Sequence, residues 1–406
     1  MSTVTGQERP TSLDHGWRPW LTVWGSFCLT VATYGLLSAI GLFQTYWHEH
    51  QLQAESAPKI SWIPSMFGFL ACFFSSPVGV LFDLYGSSIL LPVSSVLYLV
   101  SFVALAFSAT YAQFMACFIV AGISAVAYSV VSHWFHIQRG LALGFVTVGA
   151  AFGGIFFSLV LKALFTQLSW MQAILVLSAI LLCLLTTGNA FIKKPNPKRG
   201  GSEGTRVDLS CFRSLKFWLL CYTVFVYELV LFIQWGSIPA YSIFTGLGDQ
   251  FYLMMVYNIG AVIGRSIPPW LADIWFGPLN TTILMNIFSL LVVLLIWLPF
   301  GTASAAALFV VVALMGVATG SSVPLSATCV LTLCEPGRSG TWLGCTYTIV
   351  GFATLIGNPI TLAILDKHGA RALVIFNGVL LCTALTSALA LRWMCLGGRW
   401  AWLARV

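Results

Sequence analysis

The sequence predicts an all-α membrane protein with twelve transmembrane helices in two pseudo-symmetric six-helix bundles. Three observations carry that expectation. Of the 406 residues, 59% are hydrophobic and only 8% charged, against about 25% charged in soluble chains, and the mean hydropathy is +0.92. Apolar runs such as Ile283 to Leu298 are apolar on every face, which suits membrane helices and not the alternating strands of a barrel. Finally, glycines recur at matching places 200 residues apart, Gly140 and Gly144 against Gly340 and Gly344.

A spanning helix needs roughly 20 apolar residues. On that measure the spans fall at about 20–46, 61–82, 88–109, 111–133, 140–165, 169–192, 215–245, 250–274, 280–300, 303–333, 339–365 and 370–395. Pro239, Pro268 and Pro269 interrupt the apolar runs of the seventh and eighth, where the boundaries are hardest to place. The resulting division is an N-terminal segment 1–19, a first bundle 20–192, a linker 193–214, a second bundle 215–395 and a tail 396–406. The linker is the one long hydrophilic stretch, with Lys193, Lys194, Lys198, Arg199, Arg206 and Arg213. Two six-helix repeats with little else form a common transporter plan, with the solute site between them near the midplane.

Charge sets the expected orientation. An even number of spans puts both termini on one side. If that side is cytoplasmic, all of the 19 lysines and arginines except Lys59, Lys162, Lys367 and Arg371 fall on it or in span eight beside it. The sequon Asn280-Thr281-Thr282 then lies in a cytoplasmic loop and carries no sugar. The net charge of +7 therefore reads as topological, and no nucleic-acid partner is expected. Ten of the eleven cysteines lie in apolar stretches and only Cys211 in a polar loop, with no C-x-x-C pair, so they read as packing residues. The first 19 residues lack the short apolar core and cleavage site of a removable signal peptide. Scattered histidines and few carboxylates offer no catalytic constellation, no metal spacing and no cofactor site.

Several motifs resemble those of the major facilitator superfamily over nearly the whole chain. Gly79-x-x-x-Asp83-x-x-Gly86 resembles its loop motif between spans two and three, without the three basic positions. The resemblance implies that Asp83, with Gly79 and Gly86, latches one half to the other, and that the latch here is weaker or differently built. Trp134-Phe135-His136-Ile137-Gln138-Arg139-Gly140, continuing to Gly144, Gly149 and Gly153, is similar to the fifth-span motif of the monocarboxylate porter family. Asp14-His15-Gly16-Trp17 resembles that family's start. Asn258 to Arg265, Pro268-Pro269, Asp273 and Gly277 resemble its fungal branch. Arg139 and Asp273 enter as gating residues on this likeness. The glycines also half-match a span-five motif of proton-coupled exporters, but Gly154 stands where that motif has proline.

Buried charge points to the site, because ionisable groups in a bilayer cost about 2.5–3.5 kcal/mol even on insertion scales. Two lie well inside the spans, Glu228 and Arg265. By resemblance Arg265 pairs with a substrate carboxylate, for which a planar guanidinium is suited. The alternative is an interfacial arginine snorkelling to the cytoplasmic side. The lysine and aspartate that mammalian relatives use with that arginine correspond to Leu37 and Ala261, so simple lactate-type proton symport is not implied. Glu228 is open to three readings: a proton carrier, a partner of Arg265, or a hydrogen-bond acceptor of Tyr227 or Tyr222. Tyr34, Tyr128, Gln234, Trp235, Asn258 and Tyr347 are the remaining candidates for shaping a larger, less charged pocket.

The expected function is transport of an organic acid or related metabolite by alternating access, as export of a fungal secondary metabolite. Proton-linked uptake of a monocarboxylate or vitamin is the second reading, and a non-transporting nutrient sensor is a third from another class. The partners expected are a small organic solute, protons and the lipid bilayer. A monomer in the plasma membrane is anticipated.

Overall fold

A computed structural model describes residues 17–75, 77–78, 87–132, 139–192, 209–334, 339–399 and 404. They form twelve helical rods and, among the described residues, no strand. In the first half these are α1 (17–49), α2 (57–73), α3 (Ser87–Ala106), α4 (Tyr111–Ser132), α5 (Arg139–Gln167) and α6 (Trp170–Phe191). In the second they are α7 (Leu215–Thr245), α8 (250–276), α9 (278–300), α10 (305–333), α11 (339–368) and α12 (370–395).

Local chemistry sets the boundaries. Ser169 and Gln172 form a capping box at the start of α6. Asp249 caps α8 by accepting from the amides of Phe251 and Tyr252. Gly277 at φ 83° turns the chain into Pro278 at the head of α9. Gly369 at φ 79° separates α11 from α12, a corner that a residue with a Cβ adopts only under strain.

The prolines do not end their helices. Both α7 and α8 continue through Pro239, Pro268 and Pro269. Pro239 lacks the N–H that would bond the Trp235 carbonyl one turn earlier. That carbonyl instead packs against the Cα of Gly41 on α1, close enough that a Cβ at position 41 would collide with it. The neighbouring helix thus shelters the freed group, as membrane packing permits.

Polarity is arranged inside out relative to a soluble protein. The exposed side chains of α3 include Ile89, Val93, Val96, Leu97, Val100 and Val103, an apolar face at helical spacing. The buried ones of α7 and α8 include Glu228, Gln234, Asn258 and Arg265. Apolar groups outside and polar groups inside fit a lipid surround. Eight helices are long and apolar enough to cross a membrane among the described residues, and the last of these windows runs through both α11 and α12.

Within the first half, α1 packs on α5 and α6, while α4 packs on α2 and α3. In the second, α8 packs on α10, and α9 on α10 and α12. The halves meet along α5 with α8, α2 with α11, and α1 with α7. Glycines make these contacts close: Gly68 lies against Thr354, and Gly351 against Phe69 and Phe73.

Two sequence expectations shift, and a third gains detail. Cys211 is buried at 2% exposure, packed in one cluster with Phe217 and Trp342, rather than standing in a polar loop. Asn280 lies in the first turn of α9 rather than in a loop. Its Nδ2 donates to the Phe276 and Ala404 carbonyls, each at 2.8 Å, and its Oδ1 accepts from Arg392. Two of the four off-side cations, Lys59 and Lys162, are paired with Glu55 and Asp249, each at 2.7 Å.

Candidate functional site

Glu228 and Arg265 are each 2% exposed, on α7 and α8. Neither belongs to the two ion pairs among the described residues, Lys59–Glu55 and Lys162–Asp249. The Arg265 guanidinium turns across the junction of the halves and donates from Nη1 to the Thr147 carbonyl of α5, at 2.6 Å. Its Nε–H finds no acceptor. At 2% exposure the side chain does not snorkel to water.

Glu228 accepts a long hydrogen bond, 3.4 Å, from Ser326 of α10. Of the partners anticipated from sequence, Tyr227 donates instead to the Ala318 carbonyl at 2.8 Å. Tyr222 is 45% exposed on the outer surface. The carboxylate lies within electrostatic reach of Arg265 and Tyr257 on α8, Tyr347 on α11 and Cys72 on α2. Tyr347 in turn feels Tyr34 of α1. So Glu228, Arg265, Tyr347 and Tyr34 converge on one region contributed by both halves.

Asn258 and Gln234 are fully buried. The Asn258 amide donates to the Met254 carbonyl at 2.8 Å, and its Oδ1 is left without a donor. That oxygen presses into a notch at Gly154 of α5 beside the Ser38 hydroxyl of α1. Gly154 stands where the exporter motif has proline, and the space it leaves is filled by these two polar groups. Gln234 accepts from Thr319 at 2.9 Å through Oε1, while its Nε2 has no acceptor. Tyr257 and Thr319 share a 2.8 Å hydrogen bond, linking α7, α8 and α10.

The remaining candidates are placed less fully. Tyr128 lies on α4 and Arg139 opens α5. Asp273 is exposed in the π-helical turn Ala272–Phe276 that closes α8. Gly79, Asp83 and Gly86 lie outside the described residues. Sequence reasoning missed Tyr257, Thr319, Ser326 and Ser38. Hydroxyls on apolar helices carry no signal of their own until the fold shows which buried group they face.

Residues 22–357 match the family pattern described as the Major Facilitator Superfamily. The chain belongs to that superfamily. It is a membrane transporter of small solutes. Among curated relatives, the MFS-type transporter hasB of Aspergillus fumigatus is 29% identical, over 96% of this chain and 90% of its own length. The riboflavin transporter MCH5 of Saccharomyces cerevisiae is 29% identical, over 95% and 80%. The agnestins efflux protein AgnL12 of Paecilomyces divaricatus is 29% identical, over 94% and 88%. The structure of the human organic anion transporter MFSD10 superposes with a TM-score of 0.69 at 16% identity, covering 91% of this chain and 99% of that one. It shares the superfamily fold.

Proposed function

We propose that this transporter exports a medium-sized organic acid by alternating access of the halves 20–192 and 215–395. Arg265 is the anchor for the acid group. The observation that carries the reading is a guanidinium that is buried, lacks a carboxylate partner and is held between the halves by Thr147. Glu228 is within electrostatic reach but makes no direct ion pair with it; a buried cation without a contacting counter-ion is costly, and an anionic solute supplies that contact. Asn258 and Gln234 add hydrogen-bonding groups, and Tyr34 and Tyr347 shape the wall of the site. The efflux protein for agnestins among the relatives favours export of a secondary metabolite. The motifs at 134–144 and 258–280 favour the monocarboxylate porter branch of the superfamily.

Glu228 is the proton site in this reading. A buried carboxylate with no direct ion partner is compensated most simply by a proton. An anion at Arg265 and a proton at Glu228 also favour one another electrostatically, so the two move together and export follows the solute's own outward gradient. The termini face the cytoplasm, the membrane is the plasma membrane and the transporter acts as a monomer. Uptake of a vitamin is the second reading, favoured by the riboflavin transporter at a similar level of identity.

A solute panel in reconstituted vesicles, with and without a proton gradient, tests the proposal. Saturable flux of organic acids that responds to the gradient is expected. Flux confined to neutral metabolites overturns the anion assignment.

A further inference from the structure

The face opposite the termini is where the two halves are tied by polar side chains. Lys162 near the end of α5 places Nζ 2.7 Å from Oδ2 of Asp249, the residue that caps α8. The same Nζ lies 3.6 Å from the ring centre of Tyr252, one turn into α8. Beside it, Thr45 of α1 donates to Oε1 of Gln250 at 2.6 Å. One turn deeper on α1, Gly41 packs against Trp235, Gly236 and Pro239 of α7. Gln44 lies on the Gly41 side of that helix by its i,i+3 spacing. It is 4% exposed, and neither atom of its amide has a partner.

We propose that Lys162 and Asp249, supported by Thr45 and Gln250, form the gate that shuts this face of the transporter. Asp249 divides its work between two oxygens: Oδ1 caps the helix amides and Oδ2 receives the lysine. The cap survives when the lysine leaves, so the acceptor stays oriented and the gate recloses without rebuilding α8. The pair is partly exposed, 28% and 39% for the two side chains, which makes it a weak tie. An exposed ion pair shifts an equilibrium by about two- to fivefold, and a gate that cycles with each turnover needs a tie of that size. Behind it, the Gln44 amide and the Trp235 indole N–H are buried without partners. Buried groups of this kind favour the state in which water reaches them. They line the vestibule that the gate closes.

This inference rests on the alternating-access reading but not on the identity of the solute, and its test needs no solute. Gln44→Cys is introduced and the purified chain, in lipid nanodiscs, is treated with a membrane-impermeant maleimide. Labelling is counted above that of the chain with Gln44 intact. Slow labelling is expected with the gate present, and labelling about two- to fivefold faster with Lys162→Gln or Asp249→Asn. Asparagine keeps the helix cap, so the second variant removes the tie alone. The double variant is expected to label no faster than either single one, and raised salt to speed the parent but not the variants. Unchanged labelling in Lys162→Gln, or fully additive effects, overturns the gate. Gly41→Leu separates the failures, because it wedges α1 from α7 directly. Fast labelling there with none in Lys162→Gln rejects this pair while keeping the rocking motion. Protection in both rejects the motion as well.

Discussion

Arg265 of one half donates to the main-chain oxygen of Thr147 in the other, at 2.6 Å, so the buried cation of α8 is oriented by a group that no side-chain substitution can remove. The bond fixes one edge of the guanidinium and leaves Nε–H without an acceptor. Arg265→Gln should therefore reduce apparent affinity for an anionic solute by about 10- to 150-fold, the range of a charged hydrogen bond of about 1.5–3 kcal/mol. Arg265→Lys should recover little of it, because a point charge does not reproduce the planar fork. Concentration-dependent flux in vesicles checks both, with size-exclusion profiles showing that the variants fold. An unaltered half-saturation concentration in Arg265→Gln would make the residue structural.

Glu228 accepts a long hydrogen bond from Ser326, has the Ser322 hydroxyl beside it and makes no direct ion pair, although Arg265, Tyr257, Tyr347 and Cys72 all lie within electrostatic reach. Replacing it by glutamine keeps the shape and removes the ability to bind and release a proton. Downhill flux should persist in Glu228→Gln, while accumulation driven by a proton gradient is lost. Paired measurements of counterflow and of gradient-driven uptake separate the two. A variant that still accumulates solute against its gradient places the proton elsewhere.

The membrane helices were legible from sequence because a bilayer demands long apolar runs, and almost nothing else in this chain competes with that signal. Glu228 and Arg265 were legible for the converse reason: charge in such a run is rare. Partners were not legible. Tyr222 and Tyr227 look equivalent on α7, but five helical steps turn them about 140° apart, and only Tyr227 faces inward. Lys162 and Asp249 are 87 residues apart, and only the antiparallel fit of α5 to α8 brings them together. The same fit brings Thr147 to Arg265 and Gly154 to Asn258. Pro239 reads as a helix breaker in isolation. It is tolerated because Gly41, nearly 200 residues earlier, covers the carbonyl it frees.

Thr319 joins three helices through a single hydroxyl. Its one hydrogen reaches either the Gln234 amide oxygen at 2.9 Å or the Met315 carbonyl at 2.7 Å, while Tyr257 donates to it at 2.8 Å. Thr319→Val keeps the volume but leaves Tyr257 and Gln234 without that partner in a fully buried setting. The expected cost is about 1–3 kcal/mol per unsatisfied group, read as a fall in thermal midpoint of the detergent-solubilised protein. Thr319→Ser retains the hydroxyl and should stay closer to the parent. If valine and serine behave alike, the hydroxyl is not what holds α7, α8 and α10 together.

Two glycines with equally tight surroundings should respond differently to a second substitution. A Cβ at Gly316 of α10 would meet the Tyr257 carbonyl and the Ala261 amide of α8, which are main-chain atoms. A Cβ at Gly154 of α5 would meet the Asn258 amide group and the Ser38 hydroxyl, which are side-chain atoms. Overpacking of this kind costs about 1–3 kcal/mol. Gly316→Ala should therefore lower stability with no rescue from any nearby side-chain truncation. Gly154→Ala should be rescued in part in thermal midpoint by Asn258→Ala, since removing the amide leaves only the equally close Ser38 hydroxyl in the methyl group's way. The rescued pair should still transport less well than the parent if Asn258 contributes to the solute site as proposed. Full recovery of both stability and flux in the double variant would reduce Asn258 to a packing residue.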